Sequence, residues 1–477
     1  MLPKNLAYGS KVESASARSY RTNIQPQNGT GNYNAGDTII INIPTRNNLV
    51  YVPSESYLKF KYEVTAGADC NYARFDSCGA HGIIQRIRVF HGSNLLSDID
   101  NYGLLSKLLF DIQVPTDSFY GKYNILAGTR NDLTVTLPAI VKADIDLTTD
   151  ATLKFKGGFT LPVNQTNSGS RMNASAVISN GNAVSQTFCL NLITLAGALC
   201  KDKYFPLFAC TSAPLRVEIQ LVSSCQAAMN IAAACTFKVS NCEYIAQMIE
   251  LSDNAMNIIR ESQNGQPLQF VNPDYRNYQY NFALPHVTST QVTMPIPAKF
   301  SSLKSLFVTI RDPAMNGTVT YFPYSCNAFK ISQYFFRIGA QVMPSKVPDT
   351  LPEMFAEVVK AIGSMSDLNH QPSIDYTSYS QDVPTANSGD ASVAYTTAFY
   401  QQSPVSSGSF YVGLDLENYA NADKSAIFSG WNSNTDDIYF IPTFGDNNPA
   451  IAAARFDSFA LFDTVLVFEN GTCFVKY

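Results

Sequence analysis

The sequence predicts an all-β chain made of two β-sandwiches in tandem, with short helices in the connections. Three observations predict it. Apolar and charged residues alternate in Leu58-Lys59-Phe60-Lys61-Tyr62-Glu63-Val64 and again in Leu215-Arg216-Val217-Glu218-Ile219-Gln220-Leu221. Successive side chains of a strand point to opposite faces, so this period of two marks one buried and one polar face. A strand, a glycine, a short linker and a helix follow one another around Gly92 and again around Gly339, 247 residues on, which sets Leu104 opposite Leu351. That repeat implies two copies of one unit of about 210 residues. Finally, the 477 residues are 45% hydrophobic but only 15% charged, against an ordinary charged share of about 25%. Such a chain builds large cores under a neutral, polar surface. That surface suits close packing against neighbours, because every charge buried at an interface costs desolvation.

The elements follow in order. Residues 1–36 form a polar arm with Lys4, Lys11, Arg18 and Arg21 against Glu13, too poor in apolar residues to order except against partners. The first sandwich spans 37–252. Its strands are expected at Thr38–Ile43, Leu58–Val64, Ile84–Phe90, Leu133–Leu137, Leu153–Phe159, Phe188–Ile193, Leu215–Val222 and Phe237–Glu250. A helix lies between, capped by Asp100 and carrying Leu104, Leu105, Leu108 and Leu109. Asn164–Gln186 reads as an exposed loop. Residues 253–268 are a connector opened by Ser252 and holding a short helix to Ile259.

The second sandwich spans 269–477. Its strands are expected at Tyr278–Ala283, Gln291–Ile296, Ser305–Arg311, Gln333–Ile338, Phe410–Leu416, Ile438–Phe444 and Phe459–Phe468. Its helix starts with the capping box Thr350-Leu351-Pro352-Glu353, presents Leu351, Phe355, Val358, Val359 and Ile362, and ends at Gly363. Ser364–Ser409 is a long Ser/Thr/Tyr/Gln-rich loop, and loops of that length inside a domain are normally functional. No Lys or Arg lies between Lys360 and Lys424, so the arm is basic and the loop acidic, which places them at opposite ends of the molecule.

No catalytic, cofactor or metal site is predicted. Asp415 and Glu417 share one face of a strand and could mimic the paired carboxyls of a retaining glycosidase, but sugar platforms are lacking, with Trp431 the only tryptophan. Asp98/Asp100 and Asp144/Asp146 could hold a divalent ion, yet a helix cap and a solvated strand face explain them as well. The ten cysteines form no CxxC pair, and His81, His91, His286 and His370 are scattered. The pattern therefore points to reduced, buried thiols and not to zinc, with a disulfide framework as the alternative. The net charge of −5 argues against wholesale nucleic-acid binding. The start, Met1-Leu2-Pro3-Lys4-Asn5, has no apolar leader, which weakens the rival reading of a secreted or surface carbohydrate-binding or adhesion sandwich.

Several segments carry a resemblance. Ile84–Leu96 runs into the helix Tyr102–Phe110. Tyr204-Phe205-Pro206-Leu207 precedes Pro214-Leu215-Arg216-Val217-Glu218-Ile219. Val239-Ser240-Asn241-Cys242-Glu243-Tyr244 leads to Met248-Ile249-Glu250-Leu251-Ser252, followed later by Ser302–Val308, Ser429-Gly430-Trp431-Asn432 and Phe459–Gly471. In this order, over residues 37–477, the chain resembles the double jelly-roll major capsid proteins shared by adenoviruses, tailless membrane-containing phages and large eukaryotic DNA viruses, most of all those of virophages and Polinton-like viruses. The resemblance implies two consecutive eight-stranded jelly rolls, a homotrimer of pseudo-hexagonal outline, and an icosahedral shell in the virion. The implied partners are neighbouring capsomers, penton and minor capsid proteins, with the arm facing an internal membrane or the genome. It brings no catalytic residues. A capsid protein of the small RNA-virus kind would use a single jelly roll, and the doubled pattern counts against it.

Overall fold

The computed structural model describes residues 17–29, 31–67, 70–71, 74–129, 177–178, 181, 183–200, 203–231, 234–313, 322–363, 365–366, 372–382, 407–418, 429–448 and 451–477. The strands expected at Leu133–Leu137 and Leu153–Phe159, the Asp144/Asp146 pair and most of the Asn164–Gln186 loop lie outside them.

The first sandwich contains β1 (Ala17–Ile24), β2 (Thr38–Ile43), β3 (Leu49–Thr65), β4 (Ile84–His91), β5 (Asn94–Asp100), β6 (Ala183–Leu190), β7 (Leu215–Leu221) and β8 (Thr236–Leu251). The second contains β9 (Leu268–Phe282), β10 (Met294–Ile296), β11 (Leu303–Arg311), β12 (Ile331–Ile338), β13 (Gln341–Met343), β14 (Val412–Asp415), β15 (Ile438–Phe444) and β16 (Ala454–Glu469). A final strand, β17 (Thr472–Lys476), pairs with β16. The sheet orders are β1-β8-β3-β6 and β2-β7-β4-β5 in the first sandwich, β9-β16-β11-β14 and β10-β15-β12-β13 in the second. Adding eight to each label of the first pair gives the second pair, so the repeat seen around the two glycines extends to these eight strands of each sandwich.

The alternation fixes which face is buried. In β7 Leu215, Val217, Ile219 and Leu221 are buried while Arg216, Glu218 and Gln220 are not, and β3 alternates in the same way from Leu58 to Val64. A register slip of one residue would expose the whole apolar set. The outward charges of β3 pair within their own sheet: Lys61 with Glu63 at 3.3 Å, Lys238 with Glu63 at 2.9 Å and Lys59 with Glu243 at 3.9 Å.

The two glycines close equivalent hairpins. His91 faces Asn94 across β4 and β5, and Ile338 faces Gln341 across β12 and β13, leaving two-residue turns. Gly92 has φ +59° and Gly339 φ +57°. A two-residue turn with positive φ at its first central position suits glycine and matches the twist of the flanking strands. Each hairpin leads to a helix of 12 residues, α1 (Tyr102–Gln113) and α3 (Leu351–Ile362). Between the sandwiches lies α2 (Asp253–Gln263), capped by Ser252, whose Oγ accepts from the Ala255 N–H at 3.3 Å. It runs one turn beyond the expected Ile259.

Several expectations need correction. Residues 17–24 are not a loose arm: β1 pairs along its whole length with Tyr244–Leu251 of β8, in the position that β9 holds in the second sandwich. Part of the predicted Asn164–Gln186 loop is strand, since β6 begins at Ala183. Asp100 is not the cap of α1. The cap is Asn101, at φ +50° with no side-chain bond to the helix. The capping box of α3 does not form: Thr350 makes no side-chain cap bond, and Glu353 accepts from the N–H of Asp349, one residue before the cap, at 3.5 Å and pairs with Lys346.

Candidate functional site at the junction of the two sandwiches

The densest buried polar chemistry lies where the sandwiches meet. Strand β5 runs beside β9 and β17, and α1 touches α3. The apolar core of the first sandwich continues across this seam into Tyr275, Phe307, Tyr324, Val358, Tyr411 and Phe459 of the second, which also has a core of its own.

Helix α1 is the pivot. Every residue from Tyr102 to Ile112 is buried, including Lys107 at 1% exposure and Asp111 at 4%. A helix buried on all sides must pair any charge that it carries. Lys107 Nζ lies 3.2 Å from both Asp76 Oδ1 and Asp111 Oδ2 and donates to Ser77 Oγ at 3.0 Å. The second sandwich completes the cluster. Lys107 also donates to Ser409 Oγ at 3.2 Å, Ser407 Oγ donates to Asp76 at 2.7 Å, and Ser409 Oγ and Tyr411 Oη each donate to Asp111 Oδ2 at 2.8 Å. Burial pulls the Lys107 ammonium down, but Asp111 and Asp76 outweigh it and hold it above its ordinary value. The two carboxylates thus take donors from both halves of the chain, and the cation donates to a hydroxyl of each.

Two further contacts cross the seam. Asn101 donates through Nδ2 to Gln279 Oε1 at 2.8 Å and to Asp457 Oδ1 at 2.6 Å, and Asp457 is held by Arg311 at 2.8 Å. The amide that would have capped α1 therefore ties it to β9 and β16. Asp274 of β9 accepts from Ser97 Oγ of β5 at 2.9 Å and from the Tyr275 N–H at 2.9 Å. Its second oxygen has no hydrogen-bond partner among the described residues. Burial pushes this carboxyl up to about 7. Close fit adds to the polar contacts: Tyr324 Oη donates to the Gly82 carbonyl at 2.7 Å, and a Cβ on Gly103 would fall 2.4 Å from that same hydroxyl.

The acid pairs considered for chemistry are occupied. Glu417 accepts from Lys304 at 2.6 Å, and Asp415 accepts from the Glu417 N–H at 3.0 Å. Both line a junction cleft of about 910 Å³, but as an internally satisfied cluster and not as two free carboxyls. Asp98 pairs with Arg86 through two bonds of 2.7 and 2.6 Å, and Asp100 accepts from the Asn101 N–H at 2.8 Å. Among the described residues no group of three His, Cys, Asp or Glu could hold a metal ion, and no helix is long and apolar enough to cross a membrane. Lys107 and Asp111 were the residues that sequence reading missed. Their signal was an i,i+4 ion pair inside a helix that is otherwise apolar on every side.

No protein-family model matches the chain, and no curated protein matches it. Solved structures do match along its length. PBCV-1 VP54, in a crystal structure fitted into a reconstruction of the virophage Sputnik, superposes with a TM-score of 0.60 at 10% identity, covering 98% of this chain and 99% of that one. A chain in the cryo-EM structure of the Sputnik virophage gives 0.58 at 9% identity, covering 100% and 91%. The mavirus major capsid protein gives 0.55 at 13% identity, covering 100% and 93%. The fold is the double jelly roll. At these identities what is shared is the path of the chain, and the two sandwiches are its two jelly rolls, four sheets in two pairs. The Lys107 cluster and the Asn101 and Asp274 contacts are how this sequence holds one jelly roll against the other.

Proposed function

We propose that the chain is the major capsid protein of a DNA virus, a structural protein and not an enzyme, which trimerises into pseudo-hexagonal capsomers that tile an icosahedral shell. The observation that carries this reading is the full-length double jelly-roll fold that the chain shares with the mavirus major capsid protein. Three such chains present six jelly rolls around one axis, and closed symmetry of this kind is the common solution for soluble assemblies. The low charged share favours flanks that pack side by side. The penton, the minor capsid proteins and, through residues 1–16, an internal membrane or the genome are the expected further partners.

Size-exclusion mass with negative-stain imaging tests the reading. A trimer of pseudo-hexagonal outline is expected, and a stable monomer would overturn it. Truncation should spare β1. Removing residues 1–16 is expected to leave trimers intact and to impair shell assembly, whereas removing 1–30 takes away an edge strand of the first jelly roll and should cost soluble protein.

A further inference from the structure

A separate contact crosses the junction at the end of the chain. Residues 210–213 of the first jelly roll lie along residues 471–473 of the second. The Ser212 N–H donates to the Gly471 carbonyl at 3.1 Å, and a Cβ on Gly471 would stand 3.1 Å from Thr211 Oγ1. The buried imidazole of His91 lies between the two segments. Its Nδ1 accepts from the Cys473 N–H at 3.1 Å, so its proton sits on Nε2, which is 3.3 Å from the Cys210 carbonyl and 3.1 Å from the Ala213 carbonyl. Asn94 Nδ2 donates to the Cys473 carbonyl at 3.1 Å. These bonds bring two fully buried thiols together. The Cys210 and Cys473 side chains are neighbours, and this proximity, with burial, holds the Cys210 thiol well above its usual range. Other buried thiols are engaged by oxygen: Cys200 Sγ donates to the Lys203 carbonyl at 3.3 Å, Cys326 Sγ donates to the Tyr324 carbonyl at 3.3 Å, and Cys225 Sγ meets Tyr62 Oη at 3.6 Å.

We propose that Cys210 and Cys473 are a redox-sensitive pair that closes into a disulfide joining the first jelly roll to the second. The oxidant is a small-molecule disulfide. One cysteine, as thiolate, attacks a sulfur of that disulfide and expels one small thiolate, leaving a mixed disulfide on the protein. The other cysteine, as thiolate, attacks the protein sulfur of the mixed disulfide and expels the second small thiolate. The two cysteine protons end on the two released thiols; the protein is oxidised by two electrons and the small disulfide is reduced. Strand β17 is held in its sheet by β16 alone, so its local opening gives the oxidant access to Cys473. Because the thiols are buried and the thiolate is the attacking species, closure is slow at neutral pH and faster above it. The bond would span more than half the chain, the case in which constraining the unfolded state stabilises most.

The test incubates the native full chain with oxidised glutathione at pH ~8.5, with and without sub-denaturing urea, and maps peptides without reduction. The expected result is a Cys210–Cys473 linked peptide, loss of two hydrogens in mass, and a rise in Tm of about 5 °C that dithiothreitol reverses. Cys473→Ala should abolish the linked peptide and the Tm rise. Cys189, which is half-buried, reports whether the reagent acted. Glutathione on Cys189 with both Cys210 and Cys473 still free in the urea arm overturns the proposal. So does separate glutathione on each of the two without linkage. If the variant does not fold, the wild-type peptide map still decides.

Discussion

Helices α1 and α3 occupy the same place in their jelly rolls, each 12 residues long and each following a two-residue glycine hairpin. They do different work. Only Met354, Val358 and Ala361 of α3 are buried, and its charges pair at the surface, Lys360 with Glu357 at 2.6 Å. Helix α1 is buried from Tyr102 to Ile112 and carries a lysine and an aspartate inside. The same unit is a surface cover in one copy and the pivot between the copies in the other. Topology fixed where each helix lies; the side chains decided what it holds.

The largest break should come at Lys107. Lys107→Ala leaves Asp76 and Asp111 buried without their cation and should cost about 3–5 kcal/mol, read from urea unfolding. The matching change on α3, Glu357→Ala, should cost no more than ~0.5 kcal/mol; equal costs would erase the contrast between the two helices. Asp274 comes next. Its carboxyl, ordinarily near 3.8, is pushed up to about 7 by burial, with the Ser97 hydroxyl, the Tyr275 N–H and Arg276 working against the rise and Asp98 adding to it. The folded chain therefore holds a proton that the unfolded chain has released. Stability from this group is full below pH ~4, falls as pH rises through about 7, and stays lower above it. Asp274→Asn should flatten that slope and stabilise the protein by up to ~4 kcal/mol at pH ~8. Urea midpoints that shift with pH equally in both proteins would count against it.

Gly103→Ala should cost about 1–3 kcal/mol by driving a methyl into Tyr324, with Tyr324→Phe as a second site variant that relieves part of the clash. The smallest effect sharpens the comparison. Gly92→Ala and Gly339→Ala should each cost ~1 kcal/mol, because both positions need positive φ, and similar losses would mark the hairpins as equivalent where the helices are not.

The sequence made the strands legible where one face is buried. Leu215–Leu221 and Ile438–Phe444 were readable because their apolar residues alternate or cluster between turn residues. The hairpin glycines announced the repeat. What stayed hidden was set by distant parts of the chain. Asn101 does not cap through its Oδ1, which accepts from Gln85 Nε2 at 3.2 Å, while its Nδ2 reaches Gln279 and Asp457, more than 170 positions away. Strand β1 looked like a polar arm because only one edge of it is covered, and a strand with exposed Arg18 and Arg21 carries little apolar signal. Lys107 and Asp111 stand in plain view as an i,i+4 pair, yet their meaning depends on Ser407, Ser409 and Tyr411 arriving from the far half.

The seating of α1 has a mechanical consequence. The lysine and two carboxylates buried in the first jelly roll take hydroxyl partners from Ser407, Ser409 and Tyr411 of the second, so the halves cannot part without leaving buried charge short of hydrogen bonds, and they move as a single tile. Any bending in an assembly of such chains then falls at the joints between molecules and not at a hinge inside them.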